Sequence, residues 1–245
     1  MKISFDKLKK LDFRSNEAYK TLRTNISFCG DDVRVIAFTS STPNEGKSVV
    51  SLRIAEAFGE DEKKVLFIDA DIRKSVLLSR YGADQESKGL THYLAGKSNL
   101  DEVIYETSIR NVDMIFTGPV APNPSELLGN SKFAKLIETA REKYDYVILD
   151  CPPIGSVIDA AVIAKQCDGV IIVVESNNIS YKMVQKVKAQ LEKSGCRILG
   201  AVLNKVEIGG KGYGYGKYYG RYYSKYYGKH YGSYYGDDYY GKTEK

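Results

Sequence analysis

Between residues 33 and 204, short runs of β-branched and aliphatic residues alternate with longer amphipathic stretches, and this alternation constrains the fold more than any other feature. The runs are VRVIAF (33–38), KVLFI (64–68), VDMIF (112–116), YVIL (146–149), GVIIVV (169–174) and RILGAVL (197–203). They are apolar at successive positions, so a strand built from one of them has no polar face to offer to water. Strands of this kind are covered on both sides, as in parallel sheets whose crossovers are helices. Helices predicted over 46–59, 131–143, 157–166 and 181–194 supply the covers. Residues 15–29 predict a further helix ahead of the first strand, with Ser15 as its N-cap.

The alternation stops near residue 208, and a different composition begins. Of the 37 residues from 209 to 245, ten are glycine and thirteen are tyrosine, out of 20 tyrosines in the chain. The same stretch holds seven Lys/Arg against three acids, so about +4 of the formal +5 charge lies there and the body is nearly neutral. It has no aliphatic residue with which to bury a face. We therefore expect one domain over 1–208 and a disordered tail over 209–245, with a reach of roughly 30–37 Å for a glycine-rich coil. The neutral body gives no field argument for nucleic acid or membrane. Cys29, Cys151, Cys167 and Cys196 lie far apart with no CxxC spacing, which suits reduced thiols, and His92 and His230 are too isolated for a metal centre or a triad. MKISFDKLKK is charged throughout, unlike a signal peptide, and GVIIVV is too short to span a bilayer. The expectation is a cytoplasmic protein that reaches a membrane through a partner rather than by insertion.

Ligands of parallel α/β sheets bind at the C-terminal strand ends, and there this sequence concentrates its polar residues. After the first run comes STPNEGKS (41–48), which matches GxxxxGK[ST] except that Ser41 replaces the first glycine. Such a loop wraps backbone N–H groups around phosphates and sets them at a helix N-terminus. Ser41, Thr42, Pro43, Asn44, Glu45, Gly46, Lys47, Ser48 and Val49 are the candidate nucleotide-binding residues, with Lys47 on the outer phosphates and Ser48 on Mg²⁺. The second run ends in VLFIDADIR and the fourth in YVILDCPP, bringing Asp69, Asp71 and Asp150 to the same edge. One acid at a strand end is usually solvated; three beside a phosphate loop point to Mg²⁺, which takes carboxylates through water next to phosphates. ATP and Mg²⁺ are the expected cofactors. Asn204 and Lys205 close the last run, where they either read a base edge or simply end the strand. With the phosphate loop, the fold expected is a P-loop NTPase-like three-layer α/β/α sandwich around a mostly parallel sheet.

STPNEGKS, VLFIDADIR and YVILDCPP, in that order, resemble the Walker A, Walker A′ (DxDxR) and Walker B motifs of the bacterial tyrosine kinases, the CpsD/CapB-type enzymes of capsule and exopolysaccharide assembly. GPVAPNPSELL (118–128) is similar to another recurrent stretch of that family, and a C-terminal tyrosine cluster is its hallmark. The resemblance implies a protein-tyrosine kinase with Lys47, Asp69 and Asp71 as catalytic residues and Ser48, Asp71 and Asp150 around the metal. Asp69 would accept the proton of the incoming tyrosine, and Arg73 would help hold its loop. It implies autophosphorylation in trans on Tyr213, Tyr215, Tyr218, Tyr219, Tyr222, Tyr223, Tyr226, Tyr227, Tyr231, Tyr234, Tyr235, Tyr239 and Tyr240. It also implies a homo-oligomeric ring, a transmembrane activator that keeps the enzyme at the inner face of the membrane, a cognate tyrosine phosphatase and further protein substrates. The family's ring-forming ExxRxxR motif appears here as Glu17, Lys20 and Arg23, in EAYKTLR, and lysine lacks the bidentate fork of arginine.

Two other readings compete. One is a positioning ATPase whose aromatic, basic tail stacks on single-stranded nucleic acid or on itself. Partitioning and septum-positioning ATPases carry an extra lysine five residues before the loop lysine, and that position is Thr42 here. The other is a non-enzymatic scaffold with a self-associating tail.

Overall fold

The computed structural model describes residues 2–5, 7–75, 77, 88–155 and 159–207. The strands are β1 (Lys2–Ile3), β2 (Val35–Ser40), β3 (Val65–Asp69), β4 (Tyr105–Thr107), β5 (Val112–Ile115), β6 (Tyr146–Asp150), β7 (Gly169–Glu175) and β8 (Ile198–Asn204). The helices are α1 (Phe13–Ser27), α2 (Lys47–Glu60), α3 (Leu90–Leu94), α4 (Pro124–Leu128), α5 (Ser131–Lys143), α6 (Asp159–Ala164) and α7 (Tyr181–Lys193). The described strands form one sheet in the order β1-β4-β5-β3-β6-β2-β7-β8. Among them β4 and β5 pair antiparallel, and the other neighbours run parallel. The chain divides into two units, Met1–Lys205 and Val206–Lys245. The disordered tail and its thirteen modified tyrosines were expected over 209–245 and lie outside the described residues.

Period-two alternation sorts each central strand between two cores. Val35 and Ala37, with Leu66, Ile68, Val147 and Leu149, face Phe133, Leu136 and Ile137 of α5, Ile163 of α6 and Leu191 of α7. Ile36 and Phe38, with Val65, Phe67 and Ile148, face Leu52, Ile54 and Phe58 of α2 and Ile26 of α1. Both faces are apolar because both are covered, so the fold is the expected α/β/α sandwich. Phe58 of α2 also stacks on Tyr146 at the start of β6, with ring centroids 3.9 Å apart.

Boundaries moved where local chemistry decided them. The first strand lies at 35–40 rather than 33–38, because Thr39 and Ser40 pair with Ile172 and Val173 of β7. The N-cap of α1 is Asp12, not Ser15; its carboxylate accepts the Ser15 backbone N–H at 2.8 Å and the Ser15 hydroxyl at 3.0 Å. β1, β4, α3 and α4 were not foreseen. Among the described residues, no helix is long and apolar enough to cross a membrane.

Candidate nucleotide and phosphoryl-transfer site

The topology gathers the polar strand ends. β3, β6 and β2 are successive neighbours, so the Asp69, Asp150 and Ser41–Ser48 segments emerge side by side at one edge. Asp69 pairs in register with Asp150 across β3 and β6. Asn44 at φ +70° and Gly46 at φ +88° bend the loop into left-handed turns, and α2 starts at Lys47. A Cβ on Gly46 would sit 2.1 Å from Asn204 Nδ2, so glycine is required there by space as well as by φ.

Lys47 points inward. Its Nζ lies 2.7 Å from Asp150 Oδ1 and 3.4 Å from Ser48 Oγ, and both partners of the ion pair are buried. Ser51, one turn along α2, adds its hydroxyl to Asp150 Oδ1 at 3.3 Å. Burial alone would lower the lysine's pKa, but the charges of Asp150, Asp71 and Asp69 outweigh it and hold the ammonium above its ordinary value. The Asp69 carboxyl is pushed up to about 8, first by burial and then by the charge of Asp150. The Ser75 hydroxyl, which donates to Asp69 Oδ2 at 2.5 Å, opposes that rise. Asp71 is raised as well, mainly by burial, with Lys47 pulling the other way.

The predicted loop residues divide by role. Ser41 is fully buried, and its Oγ has no hydrogen-bond partner among the described residues. The Glu45 carboxylate folds back to accept the Thr42 N–H and hydroxyl on one oxygen and the Glu175 N–H, at 3.1 Å, on the other. The Val49 N–H donates to Gly46 O at 3.1 Å, closing the first turn of α2. Asn204 and Lys205, expected either at a base edge or at a strand-ending turn, are found holding the loop. Asn204 Nδ2 donates to Glu45 O at 2.9 Å, and Lys205 Nζ donates to Asn44 O at 2.7 Å and pairs with Glu175 at 3.1 Å.

The three acids do not form a metal cage of their own. Among the described residues, no three or more His, Cys, Asp or Glu side chains gather as one. The acids here surround an ammonium, because Lys47 supplies the charge that buried carboxylates need. The donors beside it, the Ser48 hydroxyl and the Asp71 and Asp150 carboxylates, are all oxygens, the set a hard cation such as Mg²⁺ takes. Two clefts of about 370 and 340 Å³ lie elsewhere, and neither is lined by a residue of the phosphate loop.

Sequence reasoning missed Ser51, Ser75, Ser125, Asp159 and Glu175. Ser51 was within reach, since it follows Lys47 by one helical turn and shares its face. Arg73, expected to help hold the DxDxR loop, pairs with Asp159, a lone acid that carried no sequence signal. Glu17 and Lys20, expected at a subunit interface, pair with each other at 2.8 Å. Arg23 donates to Ala57 O at 2.8 Å and lies 3.3 Å from Asp61.

The family model described as AAA domain matches residues 33–198. The tyrosine-protein kinase CpsD of Streptococcus agalactiae is 42% identical over 206 residues, 84% of this chain and 90% of that protein. The solved kinase domain of the Escherichia coli tyrosine kinase ETK superposes with a TM-score of 0.75 at 33% identity, covering 87% of this chain and 93% of that one. The septum site-determining protein MinD of Pyrococcus horikoshii, complexed with Mg-ADP, is more distant, with a TM-score of 0.61 at 29% identity over 74% of this chain and 72% of that one. The match to nine-tenths of CpsD and to the ETK kinase domain, added to the loop, the DxDxR arginine and the buried Lys47–Asp150 pair, shows that the chain belongs to the bacterial tyrosine kinase family.

Proposed function

We propose that this chain is an ATP- and Mg²⁺-dependent protein-tyrosine kinase that phosphorylates its own C-terminal tyrosine cluster in trans and regulates capsule or exopolysaccharide assembly. The observation that carries the reading is the buried Lys47–Asp150 pair with Asp69 in register across the sheet, at the edge where the phosphate loop begins. Bound between Ser48, Asp71 and Asp150, Mg²⁺ would supply charge neutralisation for the phosphates. Phosphoryl transfer passes through a loose transition state, so positioning and charge neutralisation carry most of the catalysis. Lys47 must leave Asp150 to meet the phosphates, whose negative charge would keep it cationic in place of Asp150. Asp69 orients the acceptor hydroxyl and takes its proton late. Burial and the charge of Asp150 raise its carboxyl above the ordinary aspartate range, which narrows the gap to a phenol near pKa 10. It accepts the proton in its ionised form, which a cation bound beside it would favour.

Around this core, Glu17, Lys20 and Arg23 would build the oligomer. The half-exposed Glu17–Lys20 pair is cheap to reopen, at about 0–1 kcal/mol. A transmembrane activator would hold the enzyme at the inner face of the membrane, and a tyrosine phosphatase would reset the tail. The likeness to MinD keeps the positioning-ATPase reading in view, and Thr42 at the diagnostic lysine position counts against it. The test is mass spectrometry of the chain after incubation with Mg-ATP. Phosphotyrosine is expected in 213–240 and none in Lys47→Met; Asp69→Asn is expected to bind ADP normally and transfer nothing. Phosphotyrosine formed by Lys47→Met would remove the site from the reaction.

A further inference from the structure

Asp159, the first residue of α6, has a side chain with no solvent exposure. Arg73 Nε donates to its Oδ2 at 2.5 Å and Arg73 Nη2 to its Oδ1 at 3.1 Å, while the Ser125 hydroxyl donates to Oδ1 at 2.5 Å. One buried carboxylate thus joins the segment after β3, which carries Asp71, to α4, which follows β5. Residues 152–155, which follow β6, lie against the end of β2 and the start of the phosphate loop. Thr39 Oγ1 donates to Pro152 O at 2.8 Å, Ile154 N–H donates to Ser40 O at 3.0 Å, and a Cβ on Gly155 would lie 2.1 Å from Ser41 O. A substitution at Gly155 would therefore push directly on the start of the phosphate loop.

We propose that Asp159 is a positioning residue for phosphoryl transfer. Through Arg73 it fixes the segment that leaves β3 and carries Asp69 and Asp71, and so holds those two carboxylates in one geometry toward Lys47. The proposal rests on the kinase reading of the site. Arg73 is the second member of the unit: its side chain is 40% exposed, and its guanidinium supplies the cation that the fully buried Asp159 carboxylate needs. A bidentate guanidinium–carboxylate pair fixes direction as well as distance, which a lysine at 73 would not do. A displacement of about 1 Å at a reacting group costs about 100-fold in rate, so loss of such a clamp acts on turnover beyond any effect on folding.

The experiment uses the full chain as wild type, Asp159→Asn, Arg73→Gln and the double variant. It reads the initial rate of phosphotyrosine formation against ATP concentration, the affinity for fluorescent ADP across a Mg²⁺ titration, and the thermal midpoint. Each single variant is expected to lower kcat by about 10–100-fold at unchanged KM for ATP, and to raise the Mg²⁺ needed for half-maximal ADP binding. The double variant should be no slower than the slower single, as for residues acting as one unit. Arg73→Gln leaves the buried Asp159 carboxylate without its cation, so Arg73→Lys, which keeps the charge but not the bidentate fork, carries the test should either variant fail to fold. A loss of kcat at an unchanged thermal midpoint is expected, and wild-type kcat in Arg73→Lys would overturn the proposal. Wild-type kcat in Arg73→Gln, additive losses in the double variant, or ADP affinity falling as far as kcat would each overturn the proposal. Lys47→Met in the same assay separates the two readings. If it loses transfer while Arg73→Gln does not, the clamp is wrong and the site stands; if it retains transfer, the site itself is wrong.

Discussion

At the scale of the residue, the site is organised by charges removed from water. Lys47 and Asp150 neutralise each other inside the protein, and on the proposed reading nucleotide would exchange that pair for phosphate and metal. Breaking such a pair by removing one member costs about 3–5 kcal/mol, because the other charge stays buried. Lys47→Met should therefore lower the urea midpoint of the nucleotide-free protein as well as abolish transfer, whereas an unchanged midpoint would mean that Asp150 finds another partner. Ser41 makes the opposite case. Its hydroxyl is buried without a partner, in the place where the motif has glycine. A buried unsatisfied hydroxyl costs about 1–3 kcal/mol, and a hydrogen bond to a charged phosphate recovers a similar amount. Ser41→Ala should raise the melting temperature without nucleotide and weaken ADP binding about 10-fold, a factor that one charged hydrogen bond supplies. ADP titration by calorimetry checks this, and unaltered affinity would place the hydroxyl outside the phosphate shell.

At the scale of the element, the opposite edge of the sheet is held by one aspartate. Asp168, just ahead of β7, accepts the backbone N–H groups of Arg34 at 2.9 Å and Val35 at 2.7 Å. It also takes both guanidinium nitrogens of Arg141 from the end of α5, at 2.8 and 2.6 Å. Burial would raise its pKa, but the Arg141 bonds and the two backbone bonds outweigh that and keep the carboxylate below its ordinary value. A depressed carboxylate pKa gives stability that is present above the unfolded value near 4 and is lost as pH falls through the folded one. Asp168→Asn should cost about 2–3 kcal/mol at neutral pH and flatten the acid limb of the stability curve. Chemical denaturation at pH 7 and pH 3 tests it, and an unchanged acid limb would show that other carboxylates set that dependence. Packing between elements is tested by Phe58→Ala, which removes the ring stacked on Tyr146 and should cost about 3–5 kcal/mol.

At the scale of the whole molecule, the proposed reading makes the C-terminal segment and an oligomer decide what the site can reach. If the last 37 residues act as a tether, they would present their tyrosines to a neighbouring subunit at roughly millimolar effective concentration. Mixing an inactive Lys47→Met chain that has its tail with an active chain that lacks one should label the inactive chain. No label would mean that transfer stays within one chain. Thirteen phosphates would take the tail from about +4 to roughly −16 to −22, enough to repel neighbours and loosen an assembly. Lys20→Arg restores a bidentate donor to the first helix and should shift the assembly toward larger species in light scattering, which phosphorylation should then reverse.

The sequence by itself determined the sandwich, because strands apolar on both faces admit few other folds, and it located Lys47, Asp69, Asp71 and Asp150, because each follows an apolar run that must end at the same sheet edge. It could not determine which charges meet. Asp159 reads as one acid among many until the fold brings it to Arg73, 86 positions away in the chain. Asn204 and Lys205 became clamps on the phosphate loop because β8 ends beside it across β7. Local pattern fixes which face a residue takes, but the partner of a buried charge is set by packing between distant segments, and that belongs to the tertiary structure.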